Sequence, residues 1–163
     1  MKKTLFTLAA CLTVNAGIGF AAPINDLSQG QTALGIGTDT FYIEHKLSND
    51  FTLGYQNVDY NHVGTMNDIY GQFNLNDNLR GIVGSRSFSS DSKPYIGLAV
   101  NSGLSPDTDG YASIIAGDHF KELQLGANIK LSYKTDLNLS YHSFMPDGGN
   151  NKTGVGVGAT IKL

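Results

Sequence analysis

Between Leu123 and Tyr133 the chain alternates without a break. Leu123, Leu125, Ala127, Ile129, Leu131 and Tyr133 are apolar, and Gln124, Gly126, Asn128, Lys130 and Ser132 separate them. Successive side chains of a β-strand point to opposite faces, so this pattern is a strand with one oily side and one polar side. Its eleven residues also match the ~9–11 that a tilted strand needs to cross a bilayer.

The same period recurs on both sides of this segment. After Lys134-Thr135-Asp136, the residues Leu137, Leu139 and Tyr141 alternate with Asn138, Ser140 and His142. At the end of the sequence Val155, Val157, Ala159, Ile161 and Leu163 alternate with Gly154, Gly156, Gly158, Thr160 and Lys162. Upstream, strands are expected at 31–38, 40–47, 51–60, 67–75, 79–88, 94–101 and 110–118. Ser48-Asn49-Asp50, Asn76-Asp77-Asn78 and Lys134-Thr135-Asp136 are short Asn/Asp-rich links suited to sharp reversals. Longer links are expected at Asn61–Met66, Ser89–Pro94 and Pro146–Lys152, so that tight turns gather at one end of a meander and long loops at the other. A weak repeat of strand, turn and strand, as in Lys46–Tyr55, Asn74–Gly81 and Lys134–Tyr141, marks hairpins rather than solenoid units. The count is about ten strands. The 94–118 hairpin has no clear polar face and a long Ser102–Gly110 link; without it the count is eight.

The first residues address the chain to export. Lys2 and Lys3 precede an apolar run from Leu5 to Val14, and small residues lead to Ala21 and Ala22. That order is a secretory signal peptide, with cleavage expected after Ala21 and, as the second choice, after Ala16. The run is too short to span a bilayer as a helix. Leu8-Ala9-Ala10-Cys11 also has the form of a lipoprotein box, but the apolar core continues past Cys11. Residues 1–21 are therefore read as the signal and 22–163 as one domain. The mature domain then has no cysteine, which excludes disulfides.

Removing Lys2 and Lys3 makes the formal charge of -3 more negative still, and an acidic chain is a poor partner for nucleic acid. Charged residues are 15% of the sequence, against ~25% in an ordinary soluble domain. Low charge without a long apolar run suits a barrel whose lipid face is uncharged and whose other face is polar.

Alternation alone leaves open which face is inside. A soluble barrel with an oily core would display Glu44, Lys46, Arg80, Arg86, Lys130 and Lys162 to water. A membrane barrel would gather the same six in its lumen, where buried charges need pairing. Phe51, Tyr55, Phe73 and Tyr133 sit near strand ends on the oily face, as aromatic residues do at a membrane boundary. These features favour an all-β, closed, up-and-down antiparallel transmembrane barrel.

With its signal, its hairpins and its closing strand Gly154–Leu163, the chain resembles the small porin-like outer-membrane barrel families, of which outer-membrane protein A-type domains are the best known. The resemblance implies an outer-membrane location, surrounding lipid, and barrel-assembly machinery and periplasmic chaperones as partners in biogenesis. It also makes Gly158, Ile161 and Leu163 the candidate assembly signal, which in the family commonly ends in Phe where this chain has Leu163.

No catalytic residue, metal site or cofactor is expected. Outer-membrane lipid A deacylases carry His and Ser one residue apart on one strand face. Here His142 and Ser143 are adjacent and point to opposite sides of the wall, while Ser140 shares His142's face in the reverse order. Asp107-Thr108-Asp109-Gly110 lacks the further ligands of a calcium loop and reads as a turn. His45, His62 and His119 have no ligand partner at metal spacing. The Gly-rich runs at Gly35–Gly37 and Gly154–Gly158 lie within strands, not at a strand–helix turn. The readings that remain are a porin-like or structural barrel with a narrow polar interior, a lipid-modifying barrel enzyme, and a soluble periplasmic barrel that holds an apolar ligand.

Overall fold

The computed structural model describes residues 21–60, 64–88 and 91–163. The expected signal peptide, residues 1–21, lies outside these residues apart from Ala21, as does His62. Ten strands follow one another: β1 Thr32–Gly37, β2 Thr40–Lys46, β3 Phe51–Tyr60, β4 Gly64–Asn74, β5 Leu79–Phe88, β6 Asp91–Ser105, β7 Thr108–Gly117, β8 Phe120–Ser132, β9 Thr135–Pro146 and β10 Lys152–Lys162. Each pairs antiparallel with the next, and β10 returns to β1 to close the barrel. The ring is sealed by Leu163 N donating to Thr32 O at 2.8 Å and Thr32 N donating to Leu163 O at 3.2 Å. No sheet edge is left unpaired, and there are no helices among the described residues.

The ten-strand count stands and the eight-strand alternative does not. The hairpin with the weakest sequence pattern is formed by the longest strand, β6, and its connection is only Pro106-Asp107. The long link expected from Ser102 to Gly110 is therefore corrected to a tight turn. What disguised it is a register irregularity between Gly103 and Ser105, together with the inward-facing Tyr111 and Ile115, which erase the polar alternation of β7. The expected long loops are also shorter than the sequence suggested. Only positions 89 and 90 separate β5 from β6, and the β9–β10 link spans 147–151.

Local chemistry fixes the reversals. Asn76 Oδ1 accepts from the backbone N–H groups of Asn78 and Leu79, both at 2.9 Å, an Asx turn. The two-residue turns Thr38-Asp39 and Asp118-His119 place Asp39 (φ 53°) and His119 (φ 71°) in the left-handed region, which Asp and His tolerate better than most residues.

The oily faces point outward. Ile36, Ile69, Ile96 and Leu131 are each more than 60% exposed, and every strand presents apolar side chains to the outside. The polar faces point inward: Glu44, Lys46, Asp68, Arg80, Arg86, Glu122 and Asp136 are buried. Inner tyrosines recur in one arrangement. Tyr42, Tyr70, Tyr95 and Tyr111 stand directly across from Gly35, Gly54, Gly84 and Gly126 on the neighbouring strand. In each pair the ring lies over the glycine, where a Cβ would collide with it. The bare glycine backbone thus gives a large ring room to lie flat against the inner wall.

Candidate functional site

Ten strands enclose more space than the roughly eight whose side chains just fill a barrel. In this protein the additional space is filled by the chain itself. Residues 21–27 do not join a strand; they run inside the barrel, and Ala21, Ala22, Ile24, Asn25 and Leu27 are buried there. The strip enters at the end of the barrel where Thr32 and Lys162 lie, here the terminal end, and extends to mid-lumen.

Several polar groups of the strip meet the wall, while Asn25 Oδ1 is buried without a hydrogen-bond partner. Asn25 Nδ2 donates to Glu44 Oε2 at 2.7 Å and to Tyr42 Oη at 3.4 Å. Arg80 donates to Asn25 O at 2.7 Å and pairs more loosely with Asp26 at 3.8 Å. Asn128 Nδ2 donates to Ile24 O at 2.8 Å, Gln124 Nε2 to Ala21 O at 3.0 Å, and Ala22 N to Gln56 Oε1 at 2.7 Å. Glu44 is the hub of this half, since Tyr70 Oη and Gln72 Nε2 also donate to its other oxygen at 2.9 and 2.8 Å. Next to it Tyr42 and Thr160 share a short hydroxyl bond. Thr160 donates on to Asn138 at 2.7 Å, and Asn138 to Asn128 at 2.9 Å.

The far half is closed by the wall's own side chains. Arg86 binds Asp68 through Nε (2.8 and 3.0 Å) and Nη2 (2.7 Å), and Glu122 through Nη1 at 2.5 Å. His142 Nε2 lies 3.3 Å from the second Glu122 oxygen. The guanidinium also faces the rings of Tyr95 and Phe120, at 5.6 and 4.9 Å. Beyond it Phe120 packs against Phe88 and Phe144, with both centroid separations 5.8 Å, and caps the lumen with apolar surface. Such a buried ion network holds only while every member keeps its partners.

The six charges singled out from the sequence fall into two groups. Glu44, Lys46, Arg80 and Arg86 are buried inside the barrel. Lys130 and Lys162 stand at the rim of the terminal end, paired with Asp109 at 3.2 Å and Asp136 at 2.8 Å. The acids that complete these networks, Asp68, Glu122, Asp136 and Asp109, are not among the six. A search for carboxylates in phase with the inward cations would have found them. Asp107-Thr108-Asp109-Gly110 forms the β6–β7 turn and the first residues of β7.

Of the assembly-signal candidates, Gly158 packs against the backbone of Ile36 and Gly37, while Ile161 and Leu163 are exposed on the outer wall. His142 has an acidic neighbour that sequence spacing did not reveal, but Glu122 is already held by Arg86. Ser143 lies on the other side of the wall, and the imidazole is sealed in the lumen at 2% exposure, away from any lipid. His45 sits on the outer wall and its Nδ1 is 2.8 Å from Thr32 Oγ1.

No protein-family model matches the chain, and no curated protein sequence does. Several solved structures are similar to it. One is a de novo designed transmembrane β-barrel (TM-score 0.45, 14% identity, covering 85% of this chain and 100% of that one). Another is the N-terminal β-barrel domain of Pseudomonas aeruginosa OprF (TM-score 0.41, 12% identity, 83% and 98%). A third is a mutant porin of Rh. blastica (TM-score 0.42, 11% identity, 89% of this chain and 53% of that one).

Proposed function

We propose that this chain is an integral β-barrel of a bacterial outer membrane and that its interior is a sealed polar core rather than an open channel. One observation supports it most: the wall is inside-out relative to a water-soluble barrel, with isoleucine, leucine, valine and phenylalanine outside and ion pairs within. Large contiguous apolar surface is unfavourable in water and is what hydrocarbon solvates. The closed ring satisfies the backbone hydrogen bonding that a membrane interior demands. The rings of Phe51 and Phe73 pack with centroids 4.7 Å apart and planes tilted by 33° near the terminal end of the wall, and Tyr133 lies exposed in the β8–β9 turn beneath the Lys134 ammonium. Both suit a lipid–water boundary. Surrounding lipid and the barrel-assembly machinery and chaperones are the partners this reading calls for, and Gly158, Ile161 and Leu163 are the proposed assembly signal.

The role is structural, because the plug strip occupies the terminal half of the lumen and the Arg86 network with its phenylalanine cap occupies the far half. Cell fractionation followed by gel migration with and without heating tests the location: a Sarkosyl-insoluble, heat-modifiable band is expected, and a freely soluble protein overturns it. Planar-bilayer recordings of the pure protein test the seal: a flat baseline is expected, and regular conductance steps would show an open pore instead.

A further inference from the structure

The strip inside the lumen contains the bond at which signal cleavage is expected, Ala21–Ala22. Ala22 N, the atom that hydrolysis of the Ala21–Ala22 bond would turn into the α-amino group, already points at Gln56 Oε1 from 2.7 Å. Gln56 in turn donates from Nε2 to Asp68 Oδ2 at 2.8 Å. Beyond lie two carboxylates, Asp68 and Glu122, that share the one guanidinium of Arg86. His142 touches the Glu122 side, and the hydroxyl of Tyr95 reaches Asp68 at 3.4 Å. The Asp68 side is the one that Gln56 connects to the new terminus. A cavity of about 40 Å³, bounded in part by Ala21, Ala22, Gln56, Arg86 and Glu122, adjoins the same atom. It has room for a water beside an ammonium.

We propose that the amino terminus freed by signal removal is a structural cation of this barrel. Water, delivered by a signal peptidase, adds across the Ala21–Ala22 peptide bond. Ala21 leaves with the signal as a carboxylate, and Ala22 keeps an amine that takes up a proton. That α-ammonium docks on Gln56 and adds a positive charge beside that of Arg86 to the two-carboxylate network. Its three protons exceed the single amide proton of the precursor: one goes to Gln56 Oε1, and the others face the cavity enlarged by the loss of Ala21. Cleavage thereby exchanges the bond from Gln124 to Ala21 O and the neutral Ala22–Gln56 bond for a charge-assisted bond to Gln56. Small residues serve twice here, for the peptidase and for the narrow mid-lumen. The inference rests on the reading of the chain as an exported, processed membrane barrel.

The test uses full-length protein expressed with its own signal and purified from envelopes in detergent. Intact mass and N-terminal sequencing are expected to give Ala22 as the first residue. An α-amine-selective aldehyde, 2-pyridinecarboxaldehyde, is expected to label the native protein at least about tenfold more slowly than the heat-unfolded protein, because the amine is reached only by opening the lumen. Gln56→Leu is expected to speed native labelling while the heat-modifiable band persists. A terminus at Gly17, or equal labelling of native and unfolded protein with that band intact, overturns the docking and leaves the membrane barrel standing. Absence of any membrane-bound, heat-modifiable form overturns the barrel reading and the docking with it.

Discussion

The two halves of the lumen are filled by opposite strategies. In the far half the wall supplies everything: Arg86, Asp68 and Glu122 come from β5, β4 and β8, and the phenylalanine cap comes from β5, β8 and β9. In the terminal half the wall supplies acceptors and donors, and a separate strip of chain occupies the centre. Neither the charged network nor the strip would be tolerable alone in an empty tube. A buried charge without a counter-charge, and a buried backbone without partners, each cost several kcal/mol. The lesson is that the extra width of a ten-strand barrel is closed once by long side chains and once by backbone. The two closures should fail differently.

Arg86→Ala should give the largest effect, because it leaves Asp68 and Glu122 facing each other in a buried site. Breaking a buried pair in this way costs about 3–5 kcal/mol. The temperature at which the folded gel band converts to the unfolded one should fall sharply, and an unchanged temperature would show that the far half is not held by this network. A pair of substitutions probes the wall common to both halves. Gly84→Val beside Tyr95 in the far half, and Gly35→Val beside Tyr42 in the terminal half, each drive a side chain into a ring. Overpacking of this kind costs about 1–3 kcal/mol. Similar losses at both sites in urea titrations would confirm that the wall is uniform and that only its filling differs.

Asn25→Ala acts on the strip. It removes a donor to the Glu44 carboxylate, while Tyr70 and Gln72 still hold the other Glu44 oxygen. The expected loss is about 1.5–3 kcal/mol, the range for a hydrogen bond to a charged group, and smaller than that of Arg86→Ala because no charge is stranded. If Asn25→Ala proved the more damaging of the two in the same urea titration, the ranking of the two closures would be reversed.

What could be read from the sequence follows the same division. Strand positions and the division of each strand into an oily and a polar face were legible because period-two alternation is a local signal, and Leu123–Tyr133 carries it without interruption. That Glu44, Lys46, Arg80 and Arg86 share the polar face follows from that parity alone; that this face is the inner one took the low charge and the aromatic strand ends as well. The filling was not legible. Residues 22–27 show no periodicity, since their contacts are spread over several strands: Asn25 meets β2 and β5, Ile24 meets β8 and Ala22 meets β3. Partners separated by as much as 104 positions in sequence leave no mark on their neighbours. Asp68 and Glu122 escaped notice for a related reason. Each sits among ordinary polar residues, and only the folded barrel places both on Arg86.

The smallest effect lies outside the lumen and sharpens the comparison by contrast. At the far rim, in the β7–β8 turn, Asp118 accepts a hydrogen bond from Lys93 Nζ at 3.1 Å and lies 2.8 Å from His119 Nδ1. The hydrogen bond from Lys93 first, and the charge of His119 after it, hold the Asp118 carboxyl below its ordinary value of 3.8. A carboxylate depressed on folding stabilises the folded state above the unfolded pKa, and that contribution is lost as pH falls through the folded value. Asp118→Asn should therefore lower the unfolding temperature slightly at neutral pH, and the difference from the parent should shrink in acid below the ordinary carboxylate range. Because this cluster is open to water, salt should erase the difference at neutral pH. The Arg86 network, shut away from solvent behind Phe120, should be nearly indifferent to the same salt. An equal salt response in Asp118→Asn and Arg86→Ala would mean that the far half of the lumen is wet, and the distinction between a sealed interior and a solvated rim would fall.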